Sequence, residues 1–217
     1  MIQAVIFNLD GVLISTHNCH YEAWKQLALE QGIPFSDDIY RRMEGMKRMD
    51  SLKVLLRRAE RTYSLGEMWA LSARKNDLFN EAVEQLKARS ILPGAAETLY
   101  ALREKGIKTA VASSSENATG ILRKLQMDSL LDVIVDGTQI EHGKPDPEAF
   151  LTAARKLSLP PANCLAVENS DAGIEAAQAA GMKVAALGKL SEGHFDTLAD
   201  LRLPARLKEW DSPDEGE

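Results

Sequence analysis

Five short, mainly apolar runs punctuate the chain: Ala4 to Phe7, Thr109 to Ala112, Val133 to Val135, Leu165 to Val167 and Val184 to Leu187. Runs this short, without polar alternation, suit strands buried on both faces of a parallel sheet. Between the later runs, Glu116 to Met127, Pro147 to Leu157 and Asp171 to Ala180 carry apolar residues at helical spacing, and Gly181 stands where a glycine closes a helix. The alternation predicts βαβ units, hence an α/β fold with a Rossmann-like parallel sheet covered by helices.

The first run is set apart, because nothing between it and Thr109 reads as a strand. Asn18 to Gln31 places Tyr21, Trp24, Leu27 and Ala28 on one helical face before Gly32. Ser64 and Glu67 have capping-box spacing for a second helix, and Asp50 is positioned to cap a third. An inserted helical cap domain over residues 17–84 is therefore expected, with the core domain formed by residues 1–16 and 85–217. Pro93-Gly94 marks the return to the core, followed by a helix from Ala95 to Lys105 that ends at Gly106.

Composition narrows the partners. The 217 residues are 45% hydrophobic, enough for a well-buried core. Lys and Arg number 26 against 32 Asp and Glu, and a net charge of -6 gives no positive field to attract nucleic acid or anionic lipid. The opening MIQAVIF lacks secretory features and no apolar run approaches the roughly 18 residues of a membrane span, so a cytoplasmic monomer is the expectation. Cys19 and Cys164 read as free thiols, and the closing DSPDEGE as a frayed tail.

In open α/β sheets, ligands bind beyond the carboxyl ends of the strands. There the sequence places Asn8-Leu9-Asp10-Gly11, Ser113-Ser114-Ser115 and Glu168-Asn169-Ser170, while Lys144-Pro145-Asp146-Pro147 opens the helix leading into the fourth run. Taken singly, these read as a turn, a helix cap, a loop and a solvated lysine. Four such elements at one sheet edge instead describe a phosphate and metal site.

These segments resemble the four motifs of the haloacid dehalogenase superfamily: FNLDGVL the first, AVASSS the second, Lys144 in GKPDP the third and VENSDAG the fourth. The resemblance runs from Met1 to about Gly188. Within the superfamily, HYEAWK, EGMKRMDSL and ARKND resemble cap segments of the β-phosphoglucomutases. It implies Mg²⁺-dependent conversion of β-glucose 1-phosphate to glucose 6-phosphate through glucose 1,6-bisphosphate and an aspartyl phosphate. Position 8 would carry the nucleophile and Asp10 the acid/base, with Ser113 and Lys144 holding the phosphoryl group, helped by amides at the start of the next helix. Asn8, the Asp10 carbonyl, Glu168 and Asn169 would hold Mg²⁺. His20, Trp24, Gly45, Arg48, Lys75, Ser114, Ser115 and Asn117 would contact the sugar and its second phosphate, Arg48 gripping that phosphate bidentately.

Several residues depart from the pattern. Asn8 stands where the resemblance calls for a nucleophilic aspartate, and a neutral amide cannot form the acyl phosphate. Three origins fit: a substitution made to arrest the reaction, a natural loss of activity, or an error in the sequence. Asn169 replaces a second carboxylate, for which Asp171 is a candidate substitute. Ser15 replaces an aspartate, and Glu116 stands where a lysine is common, so it would repel a second phosphate. A sugar-phosphate phosphatase and a catalytically silent phosphosugar-binding protein are the alternative readings.

Overall fold

The computed structural model describes residues 1–188 and 195–210. Its centre is a five-stranded parallel sheet in the order β3-β2-β1-β4-β5, formed by β1 (Ala4–Phe7), β2 (Lys108–Ala112), β3 (Val133–Val135), β4 (Cys164–Glu168) and β5 (Lys183–Ala186). The α/β prediction is therefore correct, each predicted strand falling within a residue or two of its place. Along β1, Val5 and Phe7 enter one apolar cluster and Ala4 and Ile6 another, so both faces of the sheet are buried. This accounts for runs without polar alternation. Both cysteines are free thiols.

Between β1 and β2 lie α1 (His17–Glu30), α2 (Asp37–Arg41), α3 (Arg48–Leu56) and α4 (Leu65–Val83). They enclose a third cluster, with Trp24, Leu27, Tyr40, Leu52 and Leu55 buried in it. The capping box of α4 is present, Ser64 and Glu67 each bonding the other's backbone. Asp50 does not cap α3: Lys47 holds that place with extended backbone, and Asp50 lies in the first turn, where its charge suits the helix dipole. Helix α2, capped by Ser36, is short and was not foreseen.

Around the sheet lie α5 (Ala95–Glu104), α6 (Ala118–Lys124), α7 (Glu148–Leu157) and α8 (Asp171–Ala179). The helix expected over Glu116 to Met127 is shorter, because Asn117 is its cap and Gln126 adopts φ 57, in the left-handed region. No helix among the described residues is long and apolar enough to cross a membrane. The acidic tail, residues 211–217, lies outside the described residues.

Candidate active site

The carboxyl ends of β1, β2 and β4 open onto one cavity of about 980 Å³, its mouth included, roofed by α1, α3 and α4. It is lined by Asn8, Asp10, Ser113, Ser114, Ser115, Asn117, Lys144 and Asn169 from the sheet side, and by His20, Trp24, Gly45, Arg48 and Lys75 from the helices above. Every predicted site residue except Glu168 therefore reaches one space. A volume of this order accommodates a phosphorylated sugar.

At its floor, Asn8 extends from β1 with 8% of its surface exposed. Its Oδ1 accepts a hydrogen bond from Lys144 Nζ at 3.2 Å, and its Nδ2 donates to the Asp10 carbonyl and to Asn169 Oδ1, both at 3.0 Å. Lys144 has no acceptor, which fixes the amide's orientation. The Lys144 ammonium also donates to the Ala112 carbonyl at 3.0 Å and to Glu168 Oε1, so its three protons are all engaged.

Glu168, expected among the metal ligands, does not line the cavity. It is fully buried beneath the cavity, with Oε1 on Lys144 and Oε2 accepting from Asn169 N, Ser170 N and Ser170 Oγ. Its place is to neutralise and orient Lys144. Asp171 does not substitute for a metal ligand either, since it starts α8 on the exposed side and does not line the cavity.

The oxygens available to a cation are thus those of residue 8, the Asp10 carbonyl and Asn169. Among the described residues no three His, Cys, Asp or Glu side chains gather as a metal cluster. The Asn8 NH₂ now points at the other two oxygens. With a carboxylate at position 8, three oxygens would converge without an intervening proton, a corner that suits a hard cation such as Mg²⁺. Gly11, at φ +78, gives this corner its shape, because a Cβ there would lie 2.1 Å from Asn169 Nδ2.

Asp10 sits above the amide with 28% of its side chain exposed. Burial pushes its pKa up to about 6, with the Lys75 cation pulling it down. Thr16, absent from the predicted site, donates its hydroxyl to Asp10 Oδ1. His20 Nε2 faces Asp10 Oδ2 at 3.7 Å, and its Nδ1 lies 2.9 Å from Lys75 Nζ. Burial holds His20 neutral, its pKa well below the ordinary value, so this contact is not a charged pair. Burial also lowers Lys75 to about 7, and its ammonium lies 5.0 Å from the Trp24 ring centre and 4.6 Å from that of Phe79.

The far end of the cavity differs from expectation. Arg48 donates to Ser72 at 3.1 Å, to Asn76 Oδ1, and to Glu116 Oε2 at 2.5 Å. Asn117 bonds the same Asn76 oxygen at 2.8 Å. The arginine expected to grip a phosphate is thus matched by a carboxylate, and Asn76 joins the two sides. The amides expected to serve the phosphoryl group are partly spent: Ser115 N bonds Ser113 Oγ, and Asn117 N bonds Ser115 Oγ. Ser114 Oγ accepts from Lys144 N.

Comparison with known proteins adds independent findings. The haloacid dehalogenase-like hydrolase family matches residues 2–181. A β-phosphoglucomutase of Bacillus subtilis (strain 168) is 41% identical over 190 residues, which cover 87% of this chain and 84% of that protein. A phosphorylated carbohydrates phosphatase of Thermotoga maritima is 33% identical over 185 residues, covering 84% of this chain and 83% of the relative. The crystal structure of a β-phosphoglucomutase from Clostridium difficile superposes with a TM-score of 0.91 at 30% identity, covering 97% of this chain and 98% of its own.

Proposed function

Because the chain belongs to the haloacid dehalogenase-like hydrolases, we propose that its aspartate-8 form transfers phosphoryl groups on a hexose phosphate, converting β-glucose 1-phosphate to glucose 6-phosphate through glucose 1,6-bisphosphate. The observation that carries the reading is the meeting of residue 8 with Lys144, 3.2 Å apart at the floor of a cavity whose roof carries sugar-sized polar lining. One phosphoryl group can touch both.

In that form the residue 8 carboxylate attacks phosphorus, and the bond from phosphorus to the sugar oxygen breaks. Asp10, with a pKa of about 6, gives its proton to the departing oxygen. In the second step Asp10 takes the proton of the acceptor hydroxyl, whose oxygen attacks the aspartyl phosphate and frees the residue 8 carboxylate. Lys144 and Ser113 counter the charge that spreads over the phosphoryl oxygens. Mg²⁺ held by residue 8, the Asp10 carbonyl and Asn169 would supply further positive charge there when bound. His20 and Lys75 orient Asp10, and Trp24, Gly45, Ser114, Ser115 and Asn117 line the sugar's space. Helices α1 to α4 serve as a cap that closes over it and excludes water.

With Asn8 the covalent step is blocked, since an amide oxygen is a poor nucleophile and its NH₂ occupies the metal corner. The test is a mutase assay of the Asn8→Asp protein with β-glucose 1-phosphate, glucose 1,6-bisphosphate as primer, and Mg²⁺. Glucose 6-phosphate should form, and the unmodified chain should be inert. Release of inorganic phosphate without isomerisation would reject the mutase reading.

The Arg48–Glu116 pair favours a second reading, a sugar-phosphate phosphatase, because a second phosphate must displace a carboxylate already on the arginine. Glu116→Lys in the Asn8→Asp background separates the two. A phosphatase converted toward mutase product balance by that change supports the second reading; a mutase indifferent to it supports the first.

A further inference from the structure

The cap segment that carries Gly45, Met46 and Arg48 into the cavity also carries Lys47, which does not line it. The Lys47 ammonium crosses instead to the core, donating to the Ile140 carbonyl at 2.7 Å and the Glu141 carbonyl at 3.4 Å. Among the described residues its hydrogen-bond partners are two peptide oxygens of the loop that runs into Lys144, and the nearby Glu148 carboxylate feels its charge without bonding it. The same loop presses on the cap through Gly143, where an added Cβ would lie 2.6 Å from Lys47 Cγ and 2.9 Å from Lys47 N.

The other side of this loop belongs to the core. The Glu148 carboxylate, at the start of α7, accepts from Glu141 N at 3.0 Å and from His142 N at 2.7 Å. Residues 140–142 are therefore held by their N–H groups from within the core and by their C=O groups from the cap. The first hold lies wholly within the core, and the second spans from the cap to the core. Lys144, next along the chain from Gly143, then places its ammonium on Asn8, Ala112 and Glu168.

We infer that Lys47 is a positioning residue that couples cap closure to the placement of Lys144, so that the phosphoryl-binding lysine is fully registered only under a closed cap. The inference rests on the reading of Lys144 as that cation, and is indifferent to whether sugar or water is the acceptor. A cap open to admit substrate would leave the 140–143 loop held from one side alone. Closure would then complete the floor of the site as well as its roof.

Two measurements test it. Hydrogen exchange of the amides of residues 141–144 and 146 in the chain as it stands should be at least about threefold faster in Lys47→Met than in the parent, with α5 unchanged. Gly143→Ala should produce the same local change, and Lys47→Arg, which can still donate to carbonyls, should restore protection. In the Asn8→Asp background, Lys47→Met should lower kcat about tenfold or more while KM moves less than about threefold, as expected when a catalytic group is displaced and binding is kept. Unchanged exchange of residues 141–144 and 146 in Lys47→Met overturns the coupling whatever the chemistry proves to be, and so does an unchanged kcat in an active Asn8→Asp protein. Failure of the parent reading looks different: Lys144→Met would then leave phosphosugar binding and turnover untouched.

Discussion

The floor and the roof of the cavity are both charged, yet they are balanced in different ways. At the floor, Lys144 and Glu168 are 2% and 0% exposed, and each is satisfied by partners within the core. At the far end of the roof, Arg48 and Glu116 have side chains 21% and 40% exposed and meet only across the gap between the inserted helices and the core. The charge balance of the floor is set before a ligand arrives, since removing either charge would strand the other in a low-dielectric interior; cap closure adjusts only the register of Lys144 within that balance. The roof is exchangeable, since a ligand can replace either partner at small cost. Under the proposed function, the chemistry belongs to the preset half and the choice of substrate to the exchangeable half.

The sharpest way to break this contrast is to remove the buried cation. Lys144→Met leaves Glu168 charged and unpaired, and should cost about 3–5 kcal/mol of stability in urea melts. In the Asn8→Asp background the same change should lower phosphoryl transfer by about 10²–10³-fold. A loss below about 1 kcal/mol would mean that the floor is no more preset than the roof.

Next in size is the pH dependence of Asp10. Burial raises its pKa to about 6 from the ordinary 3.8. A carboxyl raised in the fold contributes its stability fully below the unfolded value and loses it as pH climbs through the folded one. With 28% of the side chain open to the cavity, metal-free protein should lose about 1–2 kcal/mol between roughly pH 4 and pH 7 from this group. Asp10→Asn should flatten that slope in thermal melts. Lys75→Met, which removes the cation opposing the shift, should move the Asp10 limb of the Asn8→Asp rate profile to higher pH.

The smallest effect is expected at the roof. Glu116→Gln should change stability by no more than about 1 kcal/mol, because the pair is solvent-screened. The same variant should bind glucose 1,6-bisphosphate at least about tenfold more tightly by calorimetry, as expected when a like charge is removed beside a phosphate. A large stability loss without an affinity gain would make the pair structural rather than selective.

Much of the floor was legible in the sequence, because strand ends in a parallel sheet share one edge and the reactive residues there stand directly after the apolar runs. Asn8, Asp10 and Ser113 needed only that rule, while Lys144, in the loop between β3 and α7, needed the resemblance of GKPDP to the third motif as well. The direction of Glu168 was not legible: at a strand end a carboxylate can face the cavity or turn beneath it, and here the amides of Asn169 and Ser170 and the Lys144 ammonium draw it under. Arg48 lines the cavity, but its pairing with Glu116 spans 68 positions of sequence and depends on how the inserted helices dock. Thr16 and Lys47 escaped notice for a related reason. A threonine before a helix and a lysine before an arginine carry no signal until tertiary structure brings Asp10 and the 140–143 loop to them. Asp50 lost the capping role to Lys47 because the chain enters α3 three residues earlier than the polar pattern implied.

Covalent capture at residue 8 is the decisive event in the proposed chemistry. Asn8→Asp protein mixed with glucose 1,6-bisphosphate and Mg²⁺, quenched in acid and digested for mass spectrometry, should carry one hydroxylamine-labile phosphate on the peptide containing residue 8, and the unmodified chain should carry none. Phosphate on another peptide, or equal labelling of both proteins, would contradict it.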